Sequence, residues 1–151
     1  MKPKEYLSRA LHYKRRYQNA LEDLEYIRSM ATGLTAIRYD KDQVQTSPDS
    51  DQLANYMIRL ERAERRALKA SEEYFTAYEL IRGQLVQIGP QLYSDVLYLR
   101  YIKGKKLYEI ADEMAYSYEF MRKIHGRALR EFGERFPEVL QEGTKRNNGK
   151  E

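Results

Sequence analysis

The chain has 151 residues and a net charge of only +4, because 27 lysines and arginines are nearly offset by 23 acidic residues. No apolar run approaches the roughly 20 residues that a membrane-spanning helix needs, and the N-terminus lacks the continuous apolar segment of a secretion signal. We therefore expect a cytoplasmic protein that makes no contact with a membrane.

The composition also bears on catalysis. Cysteine is absent and histidine occurs twice, so disulfides, thiolate metal sites and cysteine nucleophiles are excluded. His12 has no partner at metal-ligand spacing, and the sequence has no phosphate-binding glycine loop and no nucleophile with a placed histidine. We therefore expect no enzyme, no metal and no cofactor, and we interpret His125 as a polar surface residue.

Two helical repeats precede Gly89. In each repeat, tyrosines, alanines and aliphatic residues recur at alternating steps of four and three, which is typical of a helix that buries one narrow stripe. The first stripe is Tyr6, Ala10, Tyr13, Tyr17, Ala20, Leu24, Ile27 and Ala31, and the second is Leu53, Tyr56, Leu60, Ala63, Ala67, Ala70, Tyr74, Ala77, Ile81 and Ile88. Only Gln84 breaks the second stripe.

The residues around these stripes mark the helix ends. Ser47 and Pro48 are residue types that start helices, and the Gly89-Pro90 pair ends the second helix. We expect the two helices to form a long antiparallel hairpin over residues 1–88 that serves oligomerisation or a partner. A dimer is favoured, while a compact bundle within one chain and a higher oligomer stay open, as does the role of segment 33–46.

A different pattern follows Pro90. The apolar positions from Leu107 to Met114 and those from Met121 to Ala128 each follow a helical period, but the two sets are out of phase. This shift predicts two short helices joined at an angle by a turn of three to four residues. Ser117 is suited to cap the second helix, and Tyr116 to fill the corner.

The stretch "LYEIADEMAYSYEFMRKIHGRALREF", with "VLYLRYIKGK" before it, resembles region 4 of the sigma-70 family of bacterial transcription initiation factors. The resemblance implies an all-α chain with a helix-turn-helix domain over residues 91–140, which binds promoter DNA and contacts RNA polymerase. We expect residues 141–151 to form a disordered tail. The combination with an N-terminal coiled segment is similar to phage regulators of the ArpU and RinA type.

Four residues depart from the sigma pattern, among them Gly126 on the exposed side of the second helix. Ala115 stands at the turn position usually held by glycine, and Tyr118 and Phe120 stand where the family commonly has basic residues. The sequence preference of the family is therefore not carried over to this chain.

One side of the second helix is free to enter a major groove if the helix begins at Ser117, because Met121, Ile124 and Ala128 then point inward. Lysine and arginine donate to guanine, and glutamate accepts from cytosine. The expected base-reading residues are Tyr118, Glu119, Arg122, Lys123 and Gly126. The expected contacts to the DNA sugar-phosphate backbone are Lys103, Lys105, Lys106, Ser117, Arg127 and Arg130.

These features favour a DNA-binding transcriptional regulator of phage or prophage origin, acting in the cytoplasm of a bacterial host. Its partners would be double-stranded DNA, RNA polymerase and a second copy of the chain. Two other classes stay open: the small DNA-recognition subunit of a phage packaging machine, and a protein-interaction module derived from sigma region 4. The DNA sequence recognised and the sign of regulation do not follow from the residues.

Overall fold

The computed structural model describes residues 1–39 and 48–147, and every regular element in these ranges is an α-helix, which confirms the all-α prediction. In chain order the helices are α1 (Pro3–Leu7), α2 (Arg9–Tyr39), α3 (Pro48–Leu85), α4 (Gln91–Tyr101), α5 (Leu107–Glu113), α6 (Tyr118–Arg135) and α7 (Pro137–Asn147).

Several helix boundaries differ from the predicted ones. The first long helix is interrupted at Ser8, and α2 continues to Tyr39, into the predicted loop. α7 reaches Asn147, so the start of the predicted disordered tail is helical; its first turn packs Val139 and Leu140 against the core, which polar composition alone did not indicate. The predicted cap at Ser47, the rest of segment 33–46 and the end of the tail lie outside the described residues.

α3 ends at Leu85, short of the predicted end at Ile88, for a visible reason. The backbone N–H groups of Gln87 and Ile88 bond to carbonyls three residues earlier, so the last turn tightens and the α-helical ladder stops. The Ser94 hydroxyl donates to the carbonyl oxygen of Leu85 at 2.8 Å, which satisfies a carbonyl group that the helix end leaves without a partner.

The chain divides into two compact units, which we describe separately. The central unit comprises Tyr13–Tyr74, and the terminal unit comprises Met1–His12 together with the chain from Phe75 onward. This division differs from the predicted boundary at Gly89 and Pro90, because residues 1–12 and 75–88 share a core with the predicted DNA-binding region.

In the central unit, parts of α2 and α3 pack along the predicted stripes. Leu24, Ala63 and Ala67 are buried together, with Ala20, Ile27 and Leu60 partly buried around them. Tyr17 stacks on Tyr74 with ring centroids 6.2 Å apart, and Arg28 Nη2 lies 3.6 Å from Glu64 Oε1. Tyr17 precedes Arg28 in α2, whereas its partner Tyr74 follows Glu64, the partner of Arg28, in α3. These segments therefore run antiparallel.

In the terminal unit, the N-terminal residues pack into the core beneath α6. Leu7 and Phe132 are 0% exposed, and the Tyr6 ring lies 5.8 Å from the Phe132 ring. Leu85 and Tyr101 complete this cluster at 1% and 2% exposure. Burial of each large apolar side chain contributes about 1.5–3 kcal/mol, so the N-terminal residues contribute substantially to this unit.

Gln84, which breaks the second stripe, is only 7% exposed. The Tyr6 hydroxyl donates to Gln84 Oε1 at 2.9 Å, so the polar residue at this core position has a partner. Leu53, at the other end of the stripe, is 42% exposed, so the stripe is not buried along its whole length within one chain. The helical period gives the face on which a residue lies and not the element that covers it.

None of the helices in the described ranges combines the length and apolar character needed to cross a membrane.

Candidate nucleic-acid interface

The predicted break between Met114 and Tyr118 is confirmed. α5 ends at Glu113 and α6 begins at Tyr118, so the joining turn comprises residues 114–117. The Tyr116 N–H bonds to the Ala111 carbonyl oxygen at 2.9 Å, and the Ala115 N–H to that of Asp112 at 3.3 Å. These two bonds form a Schellman motif, which normally places glycine in the left-handed position now held by Ala115 at φ 59°.

The start of α6 is fixed by its cap. Ser117 has extended backbone angles, and its Oγ accepts a hydrogen bond from the Phe120 N–H at 3.1 Å. A serine in this position satisfies one of the amide groups that the first turn of a helix leaves without a partner. The predicted capping role of Ser117 is therefore confirmed.

A small core holds α5 and α6 against α4. Val96, Ile110, Ala111, Met121 and Ile124 form one buried cluster, and the small Ala111 side chain lies between the helices at 1% exposure. The inward orientation predicted for three residues of α6 is confirmed by their exposures of 0%, 4% and 0%, at Met121, Ile124 and Ala128. The opposite side of α6 is left exposed.

The five predicted base-reading residues, Tyr118, Glu119, Arg122, Lys123 and Gly126, all lie on this exposed side. The Arg122 guanidinium lies 5.9 Å from the centre of the Tyr118 ring, and Lys123 Nζ lies 4.0 Å from Glu119 Oε1. Solvent-exposed contacts of this kind contribute little to stability, so the charged ends of these side chains can be redirected towards a ligand at low cost.

The six predicted backbone-contacting residues differ in their surroundings. Lys103, Lys106, Ser117, Arg127 and Arg130 are exposed. Lys105 is only partly exposed, and its amine pairs with Glu113 at the end of α5. Its backbone carbonyl also accepts a hydrogen bond from Arg100 Nη1 at 3.1 Å. Lys105 therefore connects the loop before α5 to the end of that helix.

The corner between α5 and α6 is not filled by Tyr116, so that prediction is wrong. The ring is 42% exposed and lies against Phe120, with the centroids 4.9 Å apart and the planes at 38°. The backbone bonds of the turn and the side chains of Met114 and Met121 already occupy the inner side of the corner. Phe120, 39% exposed, was not among the predicted contact residues.

His125 is also not the polar surface residue that we expected. Its Nε2 lies 2.9 Å from the Tyr101 hydroxyl, and the two rings stack 5.8 Å apart. Burial, with the nearby Arg100 and Lys4 cations, lowers the pKa of His125 to about 4, and burial raises the pKa of Tyr101 to about 12. The position of His125 beside Ile124, one helical turn before Leu129, was the sequence signal for this partial burial.

The central unit carries a separate feature in the charge-rich part of α3. Arg65 Nη2 and Glu61 Oε1 form an exposed i, i+4 pair at 2.6 Å. A groove of about 390 Å³ is lined by Asp23, Tyr26, Ile27, Met30, Arg59, Arg62 and Arg66. Its lining thus combines apolar, acidic and basic side chains.

The comparisons with known proteins add no further constraint. No family model matches the chain, and neither the curated proteins nor the solved structures contain a match to it.

Proposed function

We propose that the chain is a sequence-specific DNA-binding transcriptional regulator, encoded by a phage or prophage, that reads promoter or operator DNA with α6. The observation that carries this proposal is the two-sided character of α6. One side is buried in the core through Met121, Ile124 and Ala128. The other side exposes Glu119 and Lys123 to solvent. A helix held in this way fits the width of a DNA major groove.

The exposed residues have the chemistry that base edges require. Arg122 and Lys123 can donate to the N7 and O6 atoms of guanine, and Glu119 can accept from the amino group of cytosine. Each well-placed bidentate contact contributes about 1–3 kcal/mol of discrimination against a wrong base. Arg127 and Arg130, later on the same helix, suit contacts to phosphates.

The same proposal assigns roles to the remaining parts of the chain. The antiparallel helices of the central unit would form a hairpin through which two copies associate, and a dimer would present two copies of α6 to two half-sites of an operator. RNA polymerase is the proposed protein partner of an activator. Light scattering tests the proposed association of two copies. A dimer supports the regulator, and a ring of eight or more subunits supports the DNA-packaging class.

DNA binding is tested by selecting bound duplexes from a random pool with the full chain. We expect a defined consensus, and we expect Arg122→Ala and Lys123→Ala to lose about fivefold or more in affinity for it, in line with about 1–3 kcal/mol per contact. The matched control is Lys69→Ala, which removes an exposed positive charge from α3 in the central unit. It should leave the consensus and the affinity unchanged.

Salt dependence separates the two kinds of contact. Arg130→Ala should weaken binding to all duplexes alike and reduce the slope of log K against log salt by about 1, because one phosphate contact is lost. Selection without a consensus, or equal losses for Lys69→Ala and Lys123→Ala, would refute the assignment of α6 as the reading helix.

A further inference from the structure

The aromatic pair Tyr116 and Phe120 lies beside the exposed side of α6 that carries the proposed base-reading residues, and the residues described by the structure leave much of both rings uncovered. The two side chains are 42% and 39% exposed, and their rings contact each other at 4.9 Å. Large apolar groups that stay exposed together commonly mark a binding surface. Neither residue of the pair is among those proposed above to form hydrogen bonds with the DNA bases.

Hydrogen bonds fix the main chain at both residues. The Phe120 N–H donates to the Ser117 cap, and the Tyr116 N–H donates to the Ala111 carbonyl oxygen. The pair is therefore anchored at both ends of the junction between the turn and α6. Since its position is fixed by the same hydrogen bonds that start the helix, the pair would enter a groove together with the first turns of α6.

The charge around the pair indicates the kind of partner. Phe120, Lys123 and Arg127 are spaced i, i+3 and i+7, so they share one side of α6, and all three are exposed. Glu119 lies 4.0 Å from Lys123 on the same side, which leaves an excess of one positive charge beside the aromatic ring. This side of the helix therefore suits an anionic partner that offers an apolar group. Duplex DNA offers one such group in the major groove, the C5-methyl of thymine, because its base faces are covered by stacking.

We propose that Tyr116 and Phe120 read the methyl group of thymine, which makes them determinants of DNA sequence specificity beyond the hydrogen-bonding residues. This inference depends on the proposed function of α6. It predicts that the recognised site contains a thymine whose methyl group contributes to affinity. The pair detects this methyl group and not the hydrogen-bonding groups of the base.

The test uses the consensus duplex selected with the full chain, with each thymine replaced in turn by deoxyuridine, which removes only the methyl group. We expect the affinity to fall about fourfold at one or two positions, the amount that corresponds to burial of one methyl-sized group. Phe120→Ala should bind the thymine and deoxyuridine duplexes equally at those positions, and Tyr116→Ala should reduce the difference.

Matched variants separate methyl recognition from a general loss of affinity. Lys123→Ala should bind both duplexes more weakly and keep the difference between them. Val86→Ala, which shortens an apolar side chain that is 70% exposed just after α3, should bind both as the unaltered chain does. A purely structural role of Phe120 would lower both affinities by the same factor, so the double-mutant cycle between Phe120 and the methyl group would then show no coupling.

The outcomes distinguish this inference from the function on which it rests. A consensus without thymine, or one at which deoxyuridine binds as well as thymine at every position, would overturn methyl recognition and leave DNA reading by α6 intact. Failure to select any consensus would overturn the proposed function, and methyl recognition with it.

Discussion

Ala115 adopts a backbone conformation that is unfavourable for alanine. Its φ of 59° lies in the left-handed region, which costs a residue with a side chain about 1–2 kcal/mol relative to glycine. The Schellman bonds around it keep it there. We expect Ala115→Gly to raise the free energy of unfolding by about 1 kcal/mol, since relief of strain outweighs the larger entropy of glycine in the unfolded chain.

Urea unfolding followed by circular dichroism measures this change. Gly104→Ala is the matched reverse substitution, because Gly104 has a φ of 74° and an added Cβ would lie 3.3 Å from Leu11 Cδ2. It should destabilise the chain by about 1 kcal/mol or more. Loss of stability in Ala115→Gly would mean that the turn does not keep the left-handed conformation.

His125 gives the stability of the terminal unit a dependence on pH. Its pKa is lowered from 6.5 to about 4 in the folded chain, first by burial and then by Arg100 and Lys4. Between these values the unfolded chain binds a proton that the folded chain does not bind. The contribution of His125 to stability is therefore fully present above about pH 6.5 and is lost as the pH falls towards 4.

We expect this loss to be about 1–2 kcal/mol, below the full linkage value because part of the ring is exposed. Unfolding free energies at about pH 7.5 and about pH 4.5, for the unaltered chain and for His125→Phe, isolate the effect, since carboxylates titrate in both. The variant keeps the ring against Tyr101 and cannot titrate. An equal pH dependence in both proteins would show that His125 does not contribute.

At the scale of the helices, periodicity predicted most of what the structure contains. The stripes of α2 and α3, the break before Tyr118 and the inward side of α6 follow from spacing alone, because a helical period determines which residues share a face. The covering element does not follow from spacing. Gln84 was read as a gap because the Tyr6 hydroxyl that bonds to it lies 78 residues earlier in the chain.

The α5–α6 segment shows the same limit for the candidate site. Exposure of Tyr118, Glu119, Arg122 and Lys123 was predictable from their distance around the helix from Met121. The outward position of Tyr116 was not predictable, because it depends on how Met114 and the backbone of the turn fill the corner. Side-chain packing at a turn depends on the three-dimensional structure and cannot be derived from a sequence repeat.

Ser117 allows the stability of α6 to be separated from its proposed contact with DNA. Ser117→Ala removes the acceptor for the Phe120 N–H and should lower the free energy of unfolding by about 1 kcal/mol. Ser117→Asp keeps an acceptor and places a negative charge at the positive end of the helix dipole, so its stability should match that of the unaltered chain.

DNA binding should respond to these two variants in the opposite order. Ser117→Asp adds a negative charge where we propose that the DNA backbone lies, so it should weaken duplex binding more than Ser117→Ala does, and most strongly at low salt. Urea unfolding and fluorescence anisotropy with the selected duplex measure the two properties. Unchanged affinity in Ser117→Asp would place the start of α6 away from phosphate.

At the scale of the molecule, the terminal unit depends on residues from both ends of the sequence. Tyr6, Leu7 and Ala10 are at most 4% exposed and lie in one cluster with Leu85 and Phe132. The helix that we propose to read DNA is thus held partly by side chains more than a hundred residues earlier in the chain. A substitution near the N-terminus should therefore affect α6 without touching its exposed side.

Leu7→Ala tests this dependence. Removal of a leucine side chain that is 0% exposed leaves a cavity and should lower the free energy of unfolding of the terminal unit by about 2–5 kcal/mol. The matched control is Leu21→Ala in α2, where the side chain is 37% exposed and the change should be about 0.5 kcal/mol or less. Amide hydrogen exchange reports the effect locally: protection of residues 121–132 should fall in Leu7→Ala and persist in Leu21→Ala. Equal protection of α6 in both variants would show that it folds independently of the N-terminal residues, and the core shared by the two ends of the chain would then not be what holds the reading helix.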